Sequence, residues 1–216
     1  MGGPLFPAWI DRARPLAGIM LVVIPVYLVG VVYYGGSPRT TDVGYCPVQP
    51  VPYSHELHAG QLGIDCRYCH TTVERAADAA VPPTATCMNC HAHVAPASPK
   101  LLPVRESAAS GKPVPWVRVH DLPDYVYFDH SAHVVRGVSC VWCHGRVDKM
   151  EKVYQVKRLS MGWCLECHRK PAPHLRPPEL VTRLDWVPDE DAAVVGQRVG
   201  QRLKINPSTD CSTCHR

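Results

Sequence analysis

Cysteine and histidine recur at one fixed spacing in this chain of 216 residues. Cys-x-x-Cys-His appears five times: Cys66-Arg67-Tyr68-Cys69-His70, Cys87-Met88-Asn89-Cys90-His91, Cys140-Val141-Trp142-Cys143-His144, Cys164-Leu165-Glu166-Cys167-His168 and Cys211-Ser212-Thr213-Cys214-His215. Two thiols one helical turn apart can form thioethers with a single porphyrin, and the adjoining imidazole binds its iron from one face. This is the attachment signature of c-type haem, and it uses ten of the eleven cysteines. His70, His91, His144, His168 and His215 are therefore the expected proximal iron ligands, and five covalent haems c the expected cofactors. Zinc also takes Cys-x-x-Cys pairs but does not require a histidine after the second cysteine. A disulfide framework needs no histidine, and thioredoxin-like chemistry needs one such motif, not five.

A six-coordinate iron needs a second ligand on its far face, and six-coordination suits electron transfer, whereas an open face invites substrate. Seven histidines remain: His55, His58, His93, His120, His130, His133 and His174. Two pairs repeat. Tyr53-Ser54-His55-Glu56-Leu57-His58 leads into the first motif and Phe128-Asp129-His130-Ser131-Ala132-His133 into the third. An aromatic precedes His-x-x-His in both, and this repeat makes His55, His58, His130 and His133 the leading distal candidates. His120 follows in an apolar setting. Met161, three residues before Cys164, is a further candidate; a methionine ligand would raise the potential of its haem. His93 and His174 lie too close to His91 and His168 to swing easily to the far side of those haems.

These residues need a scaffold, and the composition limits what it can be. Two Phe, 22 Pro and 15 Gly leave little for an ordinary core, and no stretch keeps a strand's period of two. The expected fold class is a multihaem cytochrome c: short helices and loops wrapped around five covalent haems, with little or no sheet, plus one N-terminal transmembrane helix. The formal charge of +4 is offset by roughly ten haem propionates. The basic residues are scattered and read as propionate partners, not as a nucleic-acid footprint.

Residues 15–34 run PLAGIMLVVIPVYLVGVVYY, twenty residues without a charge, enough to span a bilayer. Arg12 and Arg14 precede the run, which places residues 1–14 in the cytoplasm and the rest outside it. Residues 35–52 read as a tether carrying the odd cysteine, Cys46. Residues 53–94 form a first dihaem module and 128–170 a second, joined by a Pro/Ser/Ala-rich linker over 95–127 that holds His120. Residues 171–216 end in the fifth motif, after an irregular stretch with acidic residues around Asp189.

The anchor, PYSHELHAGQLGIDCRYCH, VPPTATCMNCH, VPWVRVHDLPDYVYFDHSAHV and SMGWCLECHRKP together resemble the pentahaem membrane-anchored cytochrome subunit of bacterial alternative complex III. The His-x-x-His modules also resemble those of cytochromes c3 and c7. The resemblance implies a subunit that is not an enzyme on its own. It would relay electrons from iron–sulfur and integral membrane quinol-oxidising subunits to a monohaem cytochrome c, a blue-copper protein or an oxidase. Its place would be the bacterial inner membrane, single-pass, with the haem domain on the periplasmic side. A stand-alone NapC-type quinol dehydrogenase is the alternative; it wants the first haem pressed against the membrane, and the long tether argues against it. A catalytic multihaem enzyme would need an iron with an open face.

Overall fold

The computed structural model describes residues 7, 9–35 and 42–215. The described residues fall into two compact units, divided after Asp42. The ends of the expected cytoplasmic segment and tether, residues 1–6, 8 and 36–41, lie outside the described residues.

The first unit is α1 (Trp9–Gly35), the one described helix long and apolar enough to cross a membrane by length and composition. It begins at Trp9, before the apolar run itself, and continues through Pro15 and Pro25. None of its side chains is buried. Twenty-seven residues span about 40 Å at 1.5 Å per residue, more than the roughly 30 Å of a hydrocarbon core.

The second unit is built from short helices: α2 (Cys66–Cys69), α3 (Thr84–His91), α4 (Leu102–Ser110), α5 (His130–Val134), α6 (Cys140–His144), α7 (Met161–Arg169), α8 (Ala192–Leu203) and α9 (Cys211–Cys214). A π-helical turn spans Glu56–Gln61. Among the described residues, extended pairing is limited to one antiparallel bridge between Val138 and Leu175. The helices of this unit run from four to twelve residues, five of them carry one motif each, and the sequence caps several of them. Asp65 accepts from the Arg67 N–H to start α2, Asp129 from Ser131 and Ala132 to start α5, Ser139 from Val141 to start α6, and Ser160 from Trp163 to start α7. Such caps satisfy amide donors that a helix N-terminus otherwise leaves unpaired.

Two stretches that read as connections contain packed helices. α4 lies within 95–127; its buried Ser107 shares a 2.6 Å hydrogen bond with Thr84 on α3, and Val104 joins Val51 and Val114 in a small apolar cluster. α8 follows the acidic residues, capped by Asp191, and buries Gly196 and Val199. Gly196 lies directly against the Ala172 carbonyl, where a Cβ would stand within 1.6 Å of the oxygen. Only glycine permits that approach.

Buried apolar side chains are few and mostly valine, in two clusters: Val51, Val104 and Val114 in one, and Val73, Val134 and Val181 in the other. That is a thin core for a body of this length.

Candidate haem-binding site

Each described motif is a single helical turn whose histidine follows the second cysteine. The His70 amide donates to the Cys66 carbonyl at 2.8 Å and the His215 amide to the Cys211 carbonyl at 2.9 Å, so thiols and imidazole are held in one rigid unit. None of the eleven cysteines pairs in a disulfide. Burial raises the pKa of Cys69, Cys87, Cys164 and Cys167, and pushes Cys143 up to about 12. Cys66 is raised by its hydrogen bond to Cys140 and by burial; Cys140, on the other side of that bond, is lowered.

The histidines share a feature that bears on metal binding. Nδ1 donates to a backbone carbonyl in seven of them: His58 to Ser54 (2.8 Å), His70 to Ala80 (2.7 Å), His91 to Val94 (2.9 Å), His130 to Ala77 (2.7 Å), His133 to Asp129 (2.7 Å), His168 to Ser208 (2.6 Å) and His215 to Tyr125 (3.0 Å). A carbonyl can only accept, so the proton sits on Nδ1 and the Nε2 lone pair is left for a metal. Metal-ligating histidines are held in this way. Of the rest, His55 has a buried Nδ1 and His120 a buried Nε2 without partners among the described residues. Buried polar atoms are rarely left so.

The rings also face one another in pairs. A metal about 2 Å from each of two imidazole nitrogens leaves the ring centres about 6 Å apart. His58 and His91 are 6.2 Å apart, His130 and His144 6.3 Å, and His133 and His168 6.1 Å. His120 stands only 4.3 Å from His144, edge-on, too close for a metal between them. His55 lies among His70 and His58, each of which disfavours its protonation. Among the described residues, no group of three or more His, Cys, Asp or Glu converges as a zinc cage requires. Burial, with smaller contributions from neighbouring imidazoles, pushes His144 down to about 3 and His55 to about 4, and lowers His120 and His133. These rings stay neutral, the form that binds a metal.

The aromatic before each His-x-x-His acts as a clamp. Tyr53 stacks on His58 at 4.4 Å and meets His55 edge-on at 4.8 Å; Phe128 stacks on His133 at 4.6 Å and meets His130 edge-on at 4.8 Å. The internal repeat is thus a repeat of geometry. Met161 is exposed at the start of α7. His93 is exposed on the turn after α3, and His174 packs edge-on against Trp142 at 4.5 Å.

Arg176 gave no signal in the sequence. Its side chain is 6% exposed; Nη1 donates to the Arg183 carbonyl at 2.8 Å, and the guanidinium lies 5.0 Å from the Trp186 ring centre. Among the described residues no carboxylate pairs with it, and burial lowers its pKa. Its amide donates to Gly137, two residues before the helix cap Ser139.

Repeated thiol–thiol–imidazole turns on a helix-and-loop scaffold define a multihaem c-type cytochrome. Residues 126–216 match the family described as cytochrome c7 and related cytochrome c. Over 141 residues the chain is 31% identical to the menaquinone reductase multiheme cytochrome c subunit of Nitratidesulfovibrio vulgaris, covering 56% of this chain and 67% of that protein. The chain belongs to this family of multihaem c-type cytochromes.

Proposed function

We propose that this chain is an electron-relay subunit of a membrane-bound quinol-linked oxidoreductase, holding five covalent haems c. When bound, haem c supplies an iron that alternates between ferric and ferrous. The chain's own residues keep that change cheap. Carbonyl clamps on Nδ1 would fix seven of the imidazoles, and the three facing ring pairs would each hold an iron between them. The observation that carries the reading is the set of facing imidazole pairs 6.1–6.3 Å apart, each with Nδ1 or its partner's Nδ1 tied to backbone. We assign His58 opposite His91, His130 opposite His144 and His133 opposite His168. By analogy with the second module we assign His55 opposite His70. His120 and Met161 then remain for the fifth motif, and α7 favours Met161 because its Cys164 neighbours Cys214.

α1 supplies a single membrane anchor, with the haem body on the periplasmic side by the positive-inside rule. The relative's name supports menaquinone or a related quinone as the redox pool. The resemblance to alternative complex III adds iron–sulfur and quinol-oxidising membrane subunits as partners, and a cytochrome c or blue-copper protein as acceptor. Mass spectrometry of the purified chain tests the haem content: the expected mass includes five macrocycles. Anaerobic addition of menaquinol tests the role. Haem reduction in the intact complex but not in the isolated chain is expected, and reduction of the isolated chain would instead favour the stand-alone quinol dehydrogenase.

A further inference from the structure

The five motifs meet in an order different from their order in the chain. Asn89, between the cysteines of the second motif, donates through Nδ2 to the hydroxyl of Tyr68, between the cysteines of the first, at 3.1 Å. Cys66 of the first motif lies within hydrogen-bonding reach of Cys140, which opens the third. His130 and His133 are one turn apart on α5; one faces His144 of the third motif and the other His168 of the fourth. His168 donates to the Ser208 carbonyl at 2.6 Å, three residues ahead of the fifth motif.

We infer that the motifs form a single file in the order second, first, third, fourth, fifth, so that the second and fifth are the terminals at which the chain exchanges electrons with its partners. The inference rests on the relay reading. Exposure supports it independently: Cys90 and Cys211 are the exposed motif cysteines, one in each terminal motif, and the other eight are partly buried. His144, in the middle of the file, has the rings of His120 and His130 at 4.3 and 6.3 Å.

The duplication explains the order. Each module holds two motifs, and the modules join through the leading motif of each, first against third, which turns the second and fourth outward. The fifth motif then extends the fourth, so the file is lengthened at one end only. In one passage, a one-electron donor protein is oxidised at one terminal and a one-electron acceptor protein is reduced at the other. No bond breaks, no proton moves, and the chain returns to its starting state.

Iron positions in the intact holo-complex, located by anomalous scattering, test the order directly. The expected nearest-neighbour iron pairs are second–first, first–third, third–fourth and fourth–fifth. A branched arrangement, or an iron of the second motif beside that of the fourth or fifth, overturns the inference. Fewer than five irons would instead defeat the relay reading. A second arm uses Cys87→Ala/Cys90→Ala, which cannot attach the second haem. The four remaining haems should still equilibrate rapidly after pulsed reduction, while donor-to-acceptor turnover falls at least tenfold. If equilibration among the four is interrupted, the second motif is interior and the order is wrong.

Discussion

His130 faces His144 with ring centres 6.3 Å apart and planes 13° from parallel, whereas His120 meets the same ring edge-on at 4.3 Å. Both histidines read as distal candidates in the sequence, and only His130 stands at the separation from His144 that an intervening metal would need. His130→Ala is expected to leave the third iron five-coordinate, with a new high-spin ferric signal in the electron paramagnetic resonance spectrum. His120→Ala should leave that iron low-spin. The reverse pair of results would give the third motif to His120.

Arg176 is a buried cation beside the third motif, without a carboxylate partner among the described residues. A nearby positive charge disfavours the more highly charged ferric state, so it would raise the potential of a haem held at the third motif. Arg176→Met keeps most of the volume and removes the charge. The midpoint potential of the third haem should fall by on the order of tens of millivolts, as a Coulomb interaction through partly screened protein implies. Arg118 is exposed and paired with Asp121 at 2.8 Å. Arg118→Met should leave every potential unchanged in the same spectroelectrochemical titration.

The chemistry was far more legible than the packing. The five motifs are local patterns, readable because thioether attachment would demand a fixed spacing, and the two His-x-x-His pairs are readable because they repeat. The fold class and the apolar α1 followed from composition and run length. α4 and α8 were not legible. Leu102-Pro103-Val104 and Ala192-Ala193-Val194-Val195-Gly196 sit among proline, serine and acidic residues, and what stabilises these helices is contact with distant segments: Ser107 with Thr84, and Gly196 with Ala172. The partners of individual histidines were illegible for the same reason. The carbonyl that holds His130 belongs to Ala77, fifty-three residues away, and the one that holds His215 belongs to Tyr125, ninety away.

Asp65 couples the first motif to pH. Its carboxylate caps α2, accepts from Arg67 and takes a hydrogen bond from Thr182. The hydrogen bond from the Arg67 side chain is the main reason its pKa falls from 3.8 to about 2. The folded state therefore binds fewer protons than the unfolded state in this range. The stabilisation is complete above about pH 4 and is lost as pH falls towards about 2. The pair is largely exposed, so its worth is about 1 kcal/mol or less. Asp65→Asn keeps a capping oxygen but loses the charge. In denaturant titrations of the holo-protein, the variant should be less stable than the parent at pH 7, and the difference should vanish near pH 2. A constant difference across that range would mean that the carboxylate acts only as a cap.

Gly196 and Gly200 lie one turn apart on α8 but differ in what a side chain would meet. At Gly196 a Cβ runs into the backbone oxygen of Ala172 at 1.6 Å, and a backbone atom cannot swing aside; at Gly200 the nearest atom is Leu175 Cδ1 at an ordinary 3.7 Å. Alanine is also the better helix former by about 1 kcal/mol. Gly200→Ala should therefore be neutral or stabilising. Gly196→Ala should push α8 off the turn formed by Ala172–His174 and cost about 1–3 kcal/mol, the usual range for overpacking. That turn follows α7, which carries the fourth motif, and α8 leads through Ile205 to Ser208, whose carbonyl holds His168. The displacement should therefore reach the fourth haem as well as the melting curve. Thermal unfolding followed by the fourth haem's redox titration separates the two variants: a lowered melting temperature with a shifted potential for Gly196→Ala, and neither for Gly200→Ala. Equal behaviour of the two would show that α8 does not depend on close backbone approach.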